Sequence, residues 1–94
     1  MTKVEMSHVY EHAPHLVDAD LGAAIALLCV ENGIYTEVAG ASKAVWIKVD
    51  GHSDVSAIVA ALLAQYDIDE ATCAAQTCAF LSQALQKRLI RRVR

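Results

Sequence analysis

Apolar residues come in short runs from residue 15 to residue 38, and from residue 41 onward they follow a helical period. Residues 15–21 have strand length, and Gly22 turns the chain. Residues 24–30 form an unbroken apolar run, also of strand length. Glu31-Asn32-Gly33-Ile34 follows, and Asn-Gly is a strong hairpin signal because a type I′ turn needs positive φ at both central residues. Residues 34–38 then return as the partner strand. A two-residue turn puts Glu31 opposite Ile34, Cys29 opposite Thr36 and Leu27 opposite Val38. Leu27, Cys29, Ile34, Thr36 and Val38 share the expected core face. Leu28, Val30 and Tyr35 share the other face, which is also apolar, so the N-terminal arm or a partner is expected to cover part of it.

The helical part divides into three. Residues 41–49 make a short helix with Val45, Trp46 and Val49 on one side, closed by Asp50-Gly51. Ser53 is placed to cap the next helix, with Asp54 in its first turn. Val55, Ile58, Val59, Leu62 and Tyr66 recur at intervals of three and four, an amphipathic stripe. Asp67-Ile68-Asp69 breaks the period, and Asp69 caps a third helix expected to run to about residue 90. Three strands followed by three helices give an α+β fold, a three-stranded antiparallel sheet with a winged-helix-like bundle.

The third helix is unusually apolar around its girth. Ala74, Cys78, Leu81, Leu85 and Leu89 form one stripe, and Cys73, Thr77, Phe80 and Ala84 form its neighbour. Together they span roughly half the circumference. A three-helix bundle can bury both stripes. Alternatively, the second stripe, tipped by Phe80, lines a groove whose other wall is the last strand at the sheet edge. Unpaired N–H and C=O groups on such an edge are a template for an added strand.

With 94 residues, the chain fits one domain. An apolar fraction of 55% is too high for a disordered chain. Residues 1–14 show no period and are read as an arm, residues 15–90 as the domain, and residues 91–94 as a basic tail. The formal net charge of −3 argues against general polyanion binding, although residues 87–94 are basic. Cys29, Cys73 and Cys78 make no disulfide framework or metal knuckle and read as small buried hydrophobes, which fits the cytoplasm. His8 and His12 have the spacing of one helical face but lack a third ligand, so no metal is expected. No signal peptide and no membrane span is expected.

Asn32-Gly33-Ile34-Tyr35, Val38, Val45-Trp46, Asp50-Gly51-His52-Ser53, Ile58 and Ala79-Phe80-Leu81, taken in order, resemble the PqqD-like family over residues 15–90. The resemblance implies a precursor-peptide recognition element of ribosomally made, post-translationally modified peptide pathways. Such an element is a non-catalytic carrier without a cofactor. The leader segment of the precursor docks as an added strand between the third strand and the third helix. A maturase then acts on it: a leader peptidase, a cyclase or a radical S-adenosylmethionine enzyme. Carried over by position, Ile34, Tyr35, Thr36, Glu37 and Val38 pair with the leader, and Cys73, Thr77, Phe80, Leu81 and Ala84 form the helix wall. The family's Leu-Asn is replaced by Val38-Ala39, and its Tyr-Pro-Glu-Gly turn by Glu31-Asn32-Gly33. These departures point away from quinone-cofactor synthesis and toward another pathway, such as lasso-peptide maturation.

The same residues bear on three other readings. A DNA-binding winged helix needs cations or amides early in its recognition helix, yet residues 54–66 carry no basic residue, and the third helix offers Glu70, Thr72, Gln76 and Thr77 there with its basic residues only at the far end. An enzyme needs a phosphate loop, a nucleophile motif or an enclosed acid–base pair, and Asp18, Asp20 and His52 form none of these. A homodimeric interaction module, pairing through the open strand or the apolar sheet face, is compatible with the carrier role.

Overall fold

The computed structural model describes residues 3–94. Its elements are β1 (Tyr10–His12), β2 (Leu16–Asp20), β3 (Ala24–Cys29), β4 (Tyr35–Ala39), α1 (Ala41–Lys48), α2 (Val55–Gln65), α3 (Glu70–Gln86) and β5 (Ile90–Arg92). Strands β2, β3 and β4 form an antiparallel sheet in that order, and β1 pairs with β5 in a separate two-stranded ribbon. This is the expected α+β architecture, with the ribbon added. Ile25, Leu27 and Val38 on the inner face of the sheet join Val45, Trp46, Val55, Ile58, Leu62 and Leu81 from the helices in one core. Each such side chain contributes about 1.5–3 kcal/mol on burial.

The β3–β4 hairpin is wider than its Asn-Gly turn suggests. Leu27 faces Thr36 and Ile25 faces Val38, a register shifted by two residues from the expected one. Residues 30–33 form the loop, closed by Gly33 N–H donating to Cys29 O at 2.8 Å and Cys29 N–H donating to Ile34 O at 2.9 Å. The Asn32 side chain accepts the Ile34 N–H at 3.0 Å, which diverts that donor from the ladder. A shift of two leaves every side chain on its expected face, because the pleat has period two. Leu27, Cys29 and Val38 are buried, whereas Ile34 stays half exposed beside the loop. The opposite row of Val17, Leu28 and Tyr35 is exposed, and the N-terminal stretch does not cover it.

That stretch is instead fastened to the helical side. Tyr10 is buried in the core, and its hydroxyl is 3.0 Å from His8 Nδ1, itself buried. His12 stacks flat on Trp46 with ring centroids 3.8 Å apart, and its Nε2 lies 2.9 Å from Trp46 O. His8 and His12 therefore lie on an extended stretch, not on a helical face. The stretch set apart as an arm carries β1, and the one set apart as a tail begins inside β5.

Helix α3 stops four residues before its expected end. Arg88 adopts φ 60°, Arg88 N–H donates to Leu85 O at 3.1 Å and Leu89 N–H donates to Ala84 O at 2.9 Å. This is a Schellman closure, with arginine where glycine is usual, and it buries Leu89 against the end of the helix. The reversal sends Ile90–Arg92 back to pair with β1.

The starts of α2 and α3 are capped by carboxylates, whereas α1 begins at Gly40 without a side-chain cap. Asp69 accepts from Thr72 N–H at 2.9 Å, as expected. For α2 the cap is Asp54, accepting from Ala57 N–H at 2.9 Å, not Ser53. Ser53 instead donates its own N–H to Asp50 at 2.8 Å. Side-chain hydrogen bonding to Ser56 and the Ala57 N–H hold Asp54 below the usual carboxylate range, and the Thr72 N–H and hydroxyl do the same for Asp69. Carboxyls depressed on folding stabilise the protein above their unfolded value of about 4 and lose that contribution as pH falls through the lower folded value. These two carboxyls should therefore make the thermal midpoint drop as pH falls below about 4. Asp54→Asn with Asp69→Asn should flatten part of that drop.

Candidate functional site

Strand β4 is an edge, and its hydrogen-bonding geometry decides which residues can receive a guest. The bond from Cys29 N–H to Ile34 O makes these two a hydrogen-bonded pair. Bonded pairs alternate in an antiparallel ladder, so Leu27–Thr36 and Ile25–Val38 are bonded pairs as well. The β2 side agrees. Leu21 N–H donates to Ala24 O and Val30 N–H to His15 O, which commits the even-numbered residues of β3 to β2 and the odd-numbered ones to β4. The main chains of Thr36 and Val38 are thus used inside the sheet. Those of Tyr35, Glu37 and Ala39 point outward and are free among the described residues.

Side chains divide the opposite way. Thr36 and Val38 point to the helical side, while Tyr35 and Glu37 point to the outer face, where the Tyr35 hydroxyl donates to Glu37 Oε2 at 2.6 Å. That bond holds the Tyr35 hydroxyl above the ordinary tyrosine range. Between β4 and α3 runs a trough of about 70 Å3 lined by Thr36, Glu37, Val38, Ser42, Phe80, Gln83, Ala84, Lys87 and Leu89. It continues past the end of β4 into a cleft lined by Ala41, Ser42, Gln76, Ala79, Phe80 and Gln83. The trough is mixed in character: Val38, Phe80, Ala84 and Leu89 are apolar, Thr36, Ser42 and Gln83 are polar, and Glu37 and Lys87 bring one charge of each sign.

The residues proposed from sequence are only partly brought together. Tyr35 and Glu37 offer main chain to a guest, Thr36 and Val38 offer side chains, and Ile34 lies in the loop just before the strand. On the helix, Phe80 and Ala84 line the trough. Leu81 is fully buried in the core and does not face it. Cys73 and Thr77 face a different cleft, between the helices. The two stripes on α3 are split differently from the expected way: Cys73, Thr77, Leu81 and Ala84 are the buried line, and Phe80 is the apolar shoulder beside the trough. Gln76, Gln83 and Lys87 were not picked out from sequence. Their signal was positional: they stand one helical turn from Phe80 and Ala84 on the same side.

Among the described residues, no three His, Cys, Asp or Glu side chains are grouped to hold a metal. The three cysteines are unpaired. Among the same residues no helix is long and apolar enough to cross a membrane.

The family model for Coenzyme PQQ synthesis protein D (PqqD) matches residues 24–90. Among solved structures the chain is similar to one described as TbiB1 in complex with the TbiA(beta) leader peptide. The TM-score is 0.79 at 22% sequence identity, covering 86% of this chain and 94% of that one, a likeness of fold. No curated protein matches the chain.

Proposed function

Since the chain belongs to the PqqD family, we propose that it binds the leader segment of a ribosomal precursor peptide and presents it to a maturation enzyme, without chemistry of its own. The leader adds as a strand to β4. Its main chain bonds Tyr35, Glu37 and Ala39, and alternate side chains enter the trough beside Phe80 and Ala84. The carrying observation is that a free row of main-chain donors and acceptors on β4 borders a trough whose helix wall carries Phe80 and Ala84. The similar TbiB1 structure holds a leader peptide, which supports the same class of partner here. The maturase is a leader peptidase, a cyclase or a radical S-adenosylmethionine enzyme, and lasso-peptide maturation is the pathway favoured by the sequence departures. A cytoplasmic setting fits three unpaired cysteines.

The test is a titration of isotopically labelled protein with the synthetic leader of a precursor encoded beside its gene. Amide shifts should concentrate on residues 35–39 and 80–87. Phe80→Ala should remain folded, because Phe80 is only partly buried, and should bind roughly tenfold or more weakly. Shifts confined to α2 and residues 91–94 would indicate a different interface.

A further inference from the structure

Thr77 is 1% exposed, and its hydroxyl has no hydrogen-bond partner. A helical threonine usually returns this hydroxyl to the carbonyl one turn back, and a buried polar atom without a partner calls for a reason. The residue lies on the wall of an apolar cleft of about 160 Å3. Val45, Leu62, Ile68 and Cys73 line the cleft with it, and Ala41, Tyr66 and Gln76 stand at its more exposed parts. An apolar cavity of roughly 150 Å3 already admits a benzene-sized group, so the cleft has room for one large side chain.

The cleft is not isolated. It shares Ala41 and Gln76 with the extension of the trough, which in turn shares Ser42, Phe80 and Gln83 with the trough itself. A chain lying beside β4 and leaving it at the Ala39 end passes this mouth. We infer that the cleft is a second recognition site for the same guest. It takes one side chain just beyond the added strand, with a long apolar body and a terminal hydroxyl or amide that bonds Thr77. The inference rests on the peptide-binding reading above and adds a specificity rule to it. The strand supplies sequence-tolerant main-chain pairing, and the cleft supplies a single anchor whose polar tip completes a buried hydroxyl.

The experiment is selection from a displayed library of random peptides against the full chain, followed by affinity measurement on synthetic copies of the enriched peptides. Wild type should enrich an alternating segment together with one amphipathic side chain at a fixed offset from it. Replacing that side chain by alanine should cost roughly ten- to a hundredfold in affinity. Ala44→Phe, which fills the cleft from α1, should abolish the preference at the anchor and keep the alternating segment. Thr77→Val has nearly the same shape, folds without the unpartnered hydroxyl, and should shift the anchor preference to purely apolar side chains. It decides the matter should the phenylalanine variant not fold. Enriched peptides lacking the anchor, or an anchor preference unchanged in both variants, would overturn the inference while leaving strand addition standing. No enrichment by wild type would overturn strand addition, and the inference with it.

Discussion

Proline at Thr36 should destabilise the protein, whereas proline at the adjacent Glu37 should leave it folded and close the edge to a guest. The two positions differ in where the main chain points. Thr36 pairs with Leu27 inside the sheet, so a proline there removes a ladder donor and strands the Leu27 carbonyl over the core. The lost bond alone costs roughly 1–3 kcal/mol, and the fixed φ of proline adds to it within a strand. Glu37 directs its N–H outward, where proline is tolerated in edge strands. Its loss should weaken leader binding by about tenfold or more, because a guest carbonyl is left without its donor. Chemical denaturation separates the stability effects, and calorimetric titration with the leader separates the binding effects. Equal loss of stability in the two variants would mean that the alternation assigned to β4 is wrong.

The second large effect belongs to the N-terminus. Tyr10→Ala removes a side chain that is 2% exposed and should lower stability by about 3–5 kcal/mol. A domain of this size has roughly 5–15 kcal/mol in total. A chain begun at residue 15 loses β1 altogether, and with it the partner of β5, the His12–Trp46 stack and the bonds from Val55 and Gly51 to the carbonyls of His8 and Tyr10. It should not fold cooperatively. A thermal melt of the shortened chain matching that of the full one would show that the ribbon is ornamental.

These effects mark where the sequence was readable and where it was not. Long periodic segments declared themselves: the stripe through Val55, Ile58, Val59 and Leu62 and the apolar run of β3 gave the correct elements, and Asp69 gave the correct cap. The ribbon was hidden because three residues on each side are too few to show a period, and because its partners lie 80 positions apart, as Glu11 and Arg91 do. The end of α3 was hidden because arginine stands at the left-handed position where glycine would have announced a stop. At the site, the strand was legible and its polarity was not. Faces follow from sequence parity alone, whereas the direction of each N–H depends on which pairs are bonded, and Asn32 sets that through the width of the loop. On α3, Cys73, Thr77 and Leu81 look like groove residues as long as the placement of α1 and α2 is unknown, and both helices cover that side.

The central claim is that a peptide pairs with the free edge of β4, and residue-resolved hydrogen exchange tests it most directly. In the free protein the amides of Thr36 and Val38 should be protected and those of Tyr35 and Glu37 should exchange quickly. Saturation with the leader should bring Tyr35 and Glu37 to protection comparable with their neighbours. Bound leader that leaves both amides exchanging as before would contradict strand addition at this edge.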